Sequence, residues 1–136
     1  MVRGYDAIGD WWSLVIVSRV MLAGSRRFGE IQESLGVARN ILTARLKKLV
    51  AEGILQKVPA SDGSAYHEYV LTEKGRGLYK VIVALREWGE TYCRAPGTCA
   101  DGPPIVDAAK GKPIKPVEVR SADGRVLGPG DLRVGN

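Results

Sequence analysis

Histidine, cysteine and long apolar runs are scarce in this chain of 136 residues, which has one histidine and two cysteines. Two cysteines are too few for a disulfide scaffold, and a single histidine leaves most general-base schemes without their usual residue. No apolar run reaches the roughly 18–20 residues that cross a bilayer, because Ser18 and Arg19 interrupt the longest one. A phosphate-binding glycine loop, a Gly-x-Ser-x-Gly motif and a paired-histidine motif are also missing. We therefore expect no membrane segment, no enzymatic activity, no cofactor and no metal ion.

The residues that are present fit a globular protein with an excess of positive charge. Apolar residues make up 45% of the chain, and the formal net charge is +5. Part of this excess lies in residues 24–62, which hold seven basic and four acidic residues. The amino terminus lacks the basic-then-apolar pattern of a signal peptide, so we expect a cytoplasmic protein. A polyanionic partner is permitted by this charge, although a basic surface also serves solubility.

The stretch from Ala38 to Gly53 predicts an amphipathic helix with two distinct faces. Its underside is apolar, its outer face is cationic and hydrogen-bonding, and Gly53 suits the end of a helix. The apolar face holds Leu42, Leu46 and Leu49, and the outer face holds Arg39, Asn40, Thr43 and Lys47. Such a helix either enters the DNA major groove or is an ordinary surface helix with a solvated cationic face.

The segments around this helix favour the DNA alternative. Residues 29–35 predict a short helix, and a three-residue turn joins it to the basic one, which is the helix-turn-helix pattern. Residues 54–58 and 65–71 predict two strands joined by a turn, which together form a wing. We expect phosphate contacts from basic and hydroxyl side chains around the long helix and on the wing. These are Arg26, Arg27, Lys47, Lys48, Lys57, Ser61 and Ser64.

One flanking helix is predicted on each side of the winged segment. Asp10 can cap a helix that runs to about Ala23 and is apolar almost all round, so it is buried either within one chain or against a partner subunit. Thr72 can cap a second helix, from Glu73 to about Tyr92, which has one apolar stripe for the winged domain and another to spare. We expect these helices to form a two-fold interface. The expected interface residues are Trp11, Trp12, Val15, Val81, Leu85, Trp88 and Tyr92.

Residues 5–92 together resemble the HxlR family, a branch of the MarR-like winged-helix transcriptional regulators. The matching stretches are Ile8–Leu14, Gly24–Ile31, Leu35–Leu46, Leu49 with Gly53-Ile-Leu, Glu68–Gly75, and Leu85 with Trp88-Gly89. The resemblance implies a cytoplasmic homodimer that binds a pseudo-palindromic operator. It also implies that the first and last helices of the domain make the dimer.

Carried over by position, the resemblance assigns Arg39, Asn40 and Thr43 to the DNA-facing surface and Lys47 to the flanking backbone. Arg45 belongs to the matching pattern, and either contacts DNA or forms a structural salt bridge beside the leucine face. The capping serine common in the family is replaced by Ala38. Some members sense oxidants through a cysteine near the amino terminus, and that mechanism does not carry over, since no cysteine precedes Cys93.

Residues 95–136 differ in composition from residues 1–94, which we take as the winged domain with its dimerisation helices. Glycine and proline are dense, and the turn signal Asp123-Gly124 lies between two short apolar segments, 117–121 and 125–127. This predicts a small β-hairpin extension, with a partly disordered tail as the alternative. Cys93 and Cys99, with five residues between them, have three alternative interpretations: a redox pair, part of a metal site, or two plain thiols.

The sequence thus predicts an α+β fold: a winged helix-turn-helix DNA-binding domain, flanking dimerisation helices and a small C-terminal β-hairpin. The expected function is sequence-specific transcriptional regulation, as a repressor or an activator, by a homodimer on double-stranded DNA. One alternative is a winged-helix protein-interaction module that does not bind DNA. Another is a regulator gated by a small-molecule effector or by thiol oxidation.

Overall fold

The computed structural model describes residues 2–93 and 103–135, without the side chains of Val2, Tyr5 and Trp11. These residues form two compact units, Met1–Ile82 and Val83–Asn136, and the predicted boundary after residue 94 lies outside the described residues. The helices are α1 (Val2–Ile8), α2 (Trp11–Leu22), α3 (Phe28–Leu35), α4 (Arg39–Ala51), α5 (Glu73–Arg76) and α6 (Tyr79–Tyr92). The strands are β1 (Leu55–Pro59), β2 (His67–Leu71), β3 (Val119–Arg120) and β4 (Val126–Leu127), followed by a 3-10 turn, Pro129–Asp131.

The core of the first unit lies where α2, α3 and α4 meet the start of β1. The leucine face of α4 is fully buried in it, which confirms the orientation predicted from the leucine spacing. One side of α2 packs there as well, and Leu78 and Ile82 close the core at the beginning of α6. The most deeply buried apolar side chains are Ile16, Val17, Ile31, Leu42, Leu46, Leu49, Ile54 and Leu55.

Short local signals set the helix ends of the first unit. Asp10 caps α2, as predicted, because its Oδ1 accepts a hydrogen bond from the backbone N–H of Ser13 at 2.9 Å. Gly36 ends α3 in the left-handed conformation, with φ of 65°, which allows the tight turn into α4. Ala38 precedes α4 without a side-chain cap, and Gly53 follows its end with φ of 73°.

The predicted wing is an antiparallel hairpin of β1 and β2. Its register runs from Leu55 opposite Leu71 to Pro59 opposite His67. Each strand begins one or two residues later than the hydrophobic pattern suggested. The backbone N–H of Tyr69 donates to the carbonyl of Arg26 at 2.7 Å, which attaches the wing to the segment before α3.

Two features differ from the expected elements. Residues 2–8 form α1, a helix that the sequence pattern did not predict. The helix predicted from Glu73 to Tyr92 is two helices, because the chain turns at residues 77–78. The N–H of Leu78 bonds to the carbonyl of Gly75, three residues back, at 3.1 Å, and glycines at 75 and 77 make this interruption inexpensive.

The second unit combines most of α6 with the C-terminal extension. Strands β3 and β4 pair in an antiparallel hairpin, with Gly124 at φ of 93° in its turn, which confirms the hairpin at a smaller size than predicted. The backbone N–H of Val117 donates to Glu87 Oε2 at 2.8 Å, so the extension is attached to α6. Throughout residues 2–93 and 103–135, no helix combines the length and hydropathy needed to cross a bilayer.

Candidate nucleic-acid interface

The outer face of α4 presents the four side chains that the sequence placed there. Arg39, Asn40 and Lys47 are exposed, and the half-buried Thr43 lies between them and donates its hydroxyl to the Arg39 carbonyl at 2.8 Å. The Arg39 guanidinium carbon lies 5.0 Å from the centre of the Phe28 ring, a cation–π contact that holds the side chain at the start of the helix. The first turn of such a helix is where base edges are read in other helix-turn-helix proteins.

A groove of about 980 Å³ runs between α4, the start of α3 and the wing. Its lining includes four basic side chains, three aromatic rings and one acidic side chain, Glu30. The basic residues are Arg27, Arg39, Lys47 and Lys57, and the aromatic ones are Phe28, Tyr66 and Tyr69. Burial raises the pKa of the Tyr69 hydroxyl above its ordinary value. A cationic groove beside an exposed helix face suits a nucleic-acid backbone.

The three aromatic residues of this groove were not among the predicted site residues. Tyr66 and Tyr69 lie on and beside β2, and Phe28 opens α3, so sequence spacing assigned them to the hairpin and to the core. Only the approach of the wing to α3 brings them to one surface. In the sequence, the signal that could have found them is a basic residue, Arg27, directly before Phe28. In the structure, the guanidinium carbon of Arg27 lies 5.4 Å from the centre of the Tyr66 ring, a cation–π contact.

Arg45 and Lys48 lie beside the leucine face, next to Asp10, and their assignment to the DNA-binding set stays a prediction. Arg45 Nη1 is 2.8 Å from Asp10 Oδ2, and Lys48 Nζ is 3.6 Å from the same oxygen. Asp10 also caps α2, so this cluster ties the beginning of α2 to the side of α4 next to the leucine face. For Arg45 the structure favours the salt-bridge alternative, and Lys48 joins it in the same role.

The two wing serines, Ser61 and Ser64, have their surroundings within the wing loop. Ser61 donates its backbone N–H and its hydroxyl to Glu68 Oε1 at 3.1 and 2.9 Å. The backbone hydrogen bond from Ser61, and after it the hydroxyl hydrogen bond, lowers the pKa of the buried Glu68 carboxyl below its ordinary value. The hydroxyl oxygen of Ser64 is buried. Both hydroxyls lie in the wing loop, Ser61 being exposed and Ser64 half-buried as residues, and their phosphate contacts stay a prediction.

The two arginines before α3 have different surroundings. The Arg26 side chain is 58% exposed, and its Nη1 is 3.8 Å from Glu68 Oε2. The Arg27 guanidinium forms an ion pair with Asp62 at the wing tip. The backbone N–H of Ser64, together with Arg27, lowers the pKa of Asp62 to about 2, and the bond to Asp62 raises the pKa of Arg27. Arg26 is thus largely accessible, whereas Arg27 already has an anionic partner.

The second stripe of α6 is exposed along its length. The exposed fractions are 44% for Val81, 49% for Leu85, 55% for Trp88 and 74% for Tyr92, and the rings of the last two lie 6.0 Å apart. On α2, Trp12 and Val15 are half-buried. Cys93 follows the stripe as an exposed free thiol, and Cys99 lies outside the described residues. The dimer interface stays a prediction, and an exposed apolar stripe is consistent with it.

A helix, a tight turn, a helix with a cationic outer face and a following β-hairpin together define a winged helix-turn-helix protein. Within this class of DNA-binding folds, one known family matches the chain. A model described as HxlR-like helix-turn-helix matches residues 7–96. The chain therefore belongs to the HxlR-like family, which confirms the resemblance drawn from its motifs.

Similar proteins point to the same class. An uncharacterized HTH-type transcriptional regulator of Mycobacterium tuberculosis is 42% identical over 103 residues, covering 76% of this chain and 62% of the relative. The match thus spans less than two thirds of that protein. The crystal structure of PA1607, a candidate transcription factor, has a TM-score of 0.88 and 47% identity, covering 98% of this chain and 91% of that one. The redox regulator HypR in its reduced form has a TM-score of 0.57 and 31% identity, covering 65% and 87%.

Proposed function

We propose that the protein is a sequence-specific DNA-binding transcriptional regulator that acts as a homodimer on a pseudo-palindromic operator. The observation that carries this proposal is the exposed row of Arg39, Asn40 and Lys47 on α4, next to the cationic groove. In a two-fold dimer, two such helices enter successive major grooves about 34 Å apart. In this role the protein binds DNA and catalyses no reaction. A DNA partner also implies that the protein acts in the cytoplasm.

The side chains divide into two groups by their chemistry. Arg39 and Asn40, at the start of α4, have the donor geometry that distinguishes guanine and adenine edges in the major groove. Lys47 and Lys57 line the groove further along and suit backbone phosphates, as does the accessible Arg26. Discrimination between sequences therefore falls to the first turn of the helix, and most of the affinity and its salt dependence fall to the lysines and Arg26.

The test is fluorescence anisotropy with a labelled duplex from the region upstream of the protein's own gene and a scrambled duplex of equal composition. Binding across a salt series should be tighter on the first duplex and should fall steeply with salt on both. Equal and weak binding extends the test to duplexes from other promoters. If every duplex gives the same weak binding, or none binds at low salt, the regulator proposal fails and the protein-interaction alternative replaces it.

A thiol-gated regulator is a second candidate, favoured by the exposed Cys93 thiol directly after the apolar stripe of α6. Among similar proteins, HypR is a redox regulator. Oxidation at this position would place a polar or bridged sulfur beside the predicted dimer surface. Treatment with hydrogen peroxide should then weaken operator binding in the parent protein and leave a Cys93→Ser variant unaffected. Equal responses of the two proteins would remove Cys93 from the mechanism.

A further inference from the structure

Arg27 and Asp62 connect two elements that flank the cationic groove. Arg27 precedes α3, and Asp62 lies in the turn between β1 and β2, 35 residues further along the chain. The guanidinium is paired with the Asp62 carboxylate on its edge, while its face lies 5.4 Å from the centre of the Tyr66 ring. The side chain is thereby oriented with its donor edge toward an anion.

The Arg27 fork matches phosphate as well as carboxylate. A guanidinium donates two parallel hydrogen bonds to either group, and stacking on an aromatic ring leaves those donors unused. The pair is also accessible, because the side chains of Arg27 and Asp62 are 32% and 53% exposed. Exposed ion pairs are individually weak. A duplex that makes many contacts at once can therefore displace the carboxylate from the guanidinium.

Glu68, the other carboxylate of the wing, has a different role. It is only 5% exposed and accepts two hydrogen bonds from Ser61, so it organises the loop. Its contact with Arg26 is long, at 3.8 Å. Asp62 does accept the Ser64 backbone N–H at 3.0 Å, but an asparagine at this position retains that acceptor oxygen. The charge of Asp62 can therefore be removed without removing the turn.

We propose that Arg27 is a phosphate-binding position whose intramolecular ligand is Asp62, and that Asp62 sets the affinity for DNA by competing with a backbone phosphate. This rests on the DNA-binding function proposed above. Asp62 then lowers affinity for every duplex alike, because a phosphate contact carries no sequence information. A regulator gains from such a carboxylate, since weaker general binding leaves more protein free to find its specific site.

The test compares the parent protein with Asp62→Asn, Arg27→Ala and the double variant, on a scrambled duplex across a salt series. Asp62→Asn should bind about threefold to fivefold more tightly, with a salt slope steeper by about 0.9. In the Arg27→Ala background the same substitution should give less than half of that gain on a logarithmic scale. Thermal unfolding of each variant checks that the wing loop is intact.

Two controls separate competition from a general charge effect. Glu33→Gln removes an equal charge from the exposed side of α3, and should change affinity less than Asp62→Asn does. Elution from heparin measures anion binding without DNA, and Asp62→Asn should elute at higher salt only when Arg27 is present. Equal gains in both Arg27 backgrounds, or no gain at all, would overturn the inference. If none of the four proteins binds a duplex, but Asp62→Asn still elutes from heparin at higher salt only when Arg27 is present, the proposed DNA-binding function fails. Arg27 then remains an anion-binding position with Asp62 as its competitor.

Discussion

Arg39 and Lys47 share one face of α4 but lie two turns apart, so in the proposed complex they would meet different parts of a duplex. Arg39 is at the first position of the helix, where side chains reach base edges, and its stacking on Phe28 limits the conformations it loses on binding. Lys47 lies further along the helix and borders the groove beside Lys57. A single positive charge is thus expected to distinguish base sequences at Arg39 and to strengthen binding to any duplex at Lys47.

Arg39→Ala should weaken binding to the specific duplex by about 1–3 kcal/mol. The affinity of this variant for the scrambled duplex should be almost the same as that of the parent protein. Lys47→Ala should weaken both duplexes alike and reduce the salt slope by about 1. Anisotropy titrations at three salt concentrations measure both effects. Arg19→Ala is the matched control, since it removes an exposed arginine from α2. Equal weakening of both duplexes by Arg39→Ala would assign that residue to the backbone instead.

Individual residues were predictable where helical spacing alone decides their position. The spacing of Leu42, Leu46 and Leu49 fixed the buried face of α4, and with it the exposure of Arg39, Asn40 and Lys47. The partners of charged side chains were not predictable, because they depend on how separate segments pack, whether these are distant along the chain or paired across the wing. Asp10, which binds Arg45, is 35 residues distant, and Ser61 meets Glu68 only across the paired wing.

Elements were predictable where a period or a capping residue marks them. The caps at Asp10 and Thr72 mark the beginnings of α2 and α5, and the change of period after Gly53 marks the wing. The break between α5 and α6 was not predictable from the apolar stripes, which continue across it. The stripes also carry no sign of the tertiary contact next to the break, where Gly75 is buried against the carbonyl of Ile54, the residue that precedes β1.

Gly75→Ala should destabilise the protein by about 1–3 kcal/mol, the usual cost of overpacking a core. A Cβ at this position would lie 2.2 Å from the Ile54 carbonyl oxygen, which also accepts the Thr72 backbone N–H, so neither side can move easily. Gly89→Ala is the matched control within α6, where an added Cβ meets no described atom within 4 Å. There, a neutral or slightly stabilising change is expected.

Urea unfolding at one fixed protein concentration measures both glycine variants, because the proposed dimerisation would make stability depend on concentration. The difference between Gly75→Ala and Gly89→Ala then reports the packing at Ile54 with helix propensity removed. A Gly75→Ala variant as stable as the Gly89→Ala control would show that α5 does not pack tightly on the segment before β1.

The whole molecule extends beyond the part that the family pattern describes. The family match ends at residue 96, whereas the similarity to PA1607 covers 98% of the chain, so the extension is shared with that structure. In the second unit the extension binds α6 through Arg86 and Glu87, which contact Pro103 and Val117. Those two side chains lie on a different face of α6 from Leu85 and Trp88, so the apolar stripe is left exposed.

This exposure leads to the prediction for the dimer. Leu85→Glu places a charge in the middle of the stripe, where association would bury it without a partner. The dimer dissociation constant should rise at least about a hundredfold, which corresponds to about 2.7 kcal/mol. Val134→Glu is the control, because it introduces the same charge at an apolar residue that is 88% exposed, in the extension. Sedimentation velocity over a concentration series measures both, and a Leu85→Glu protein that associates like the parent would show that the stripe is not the dimer interface.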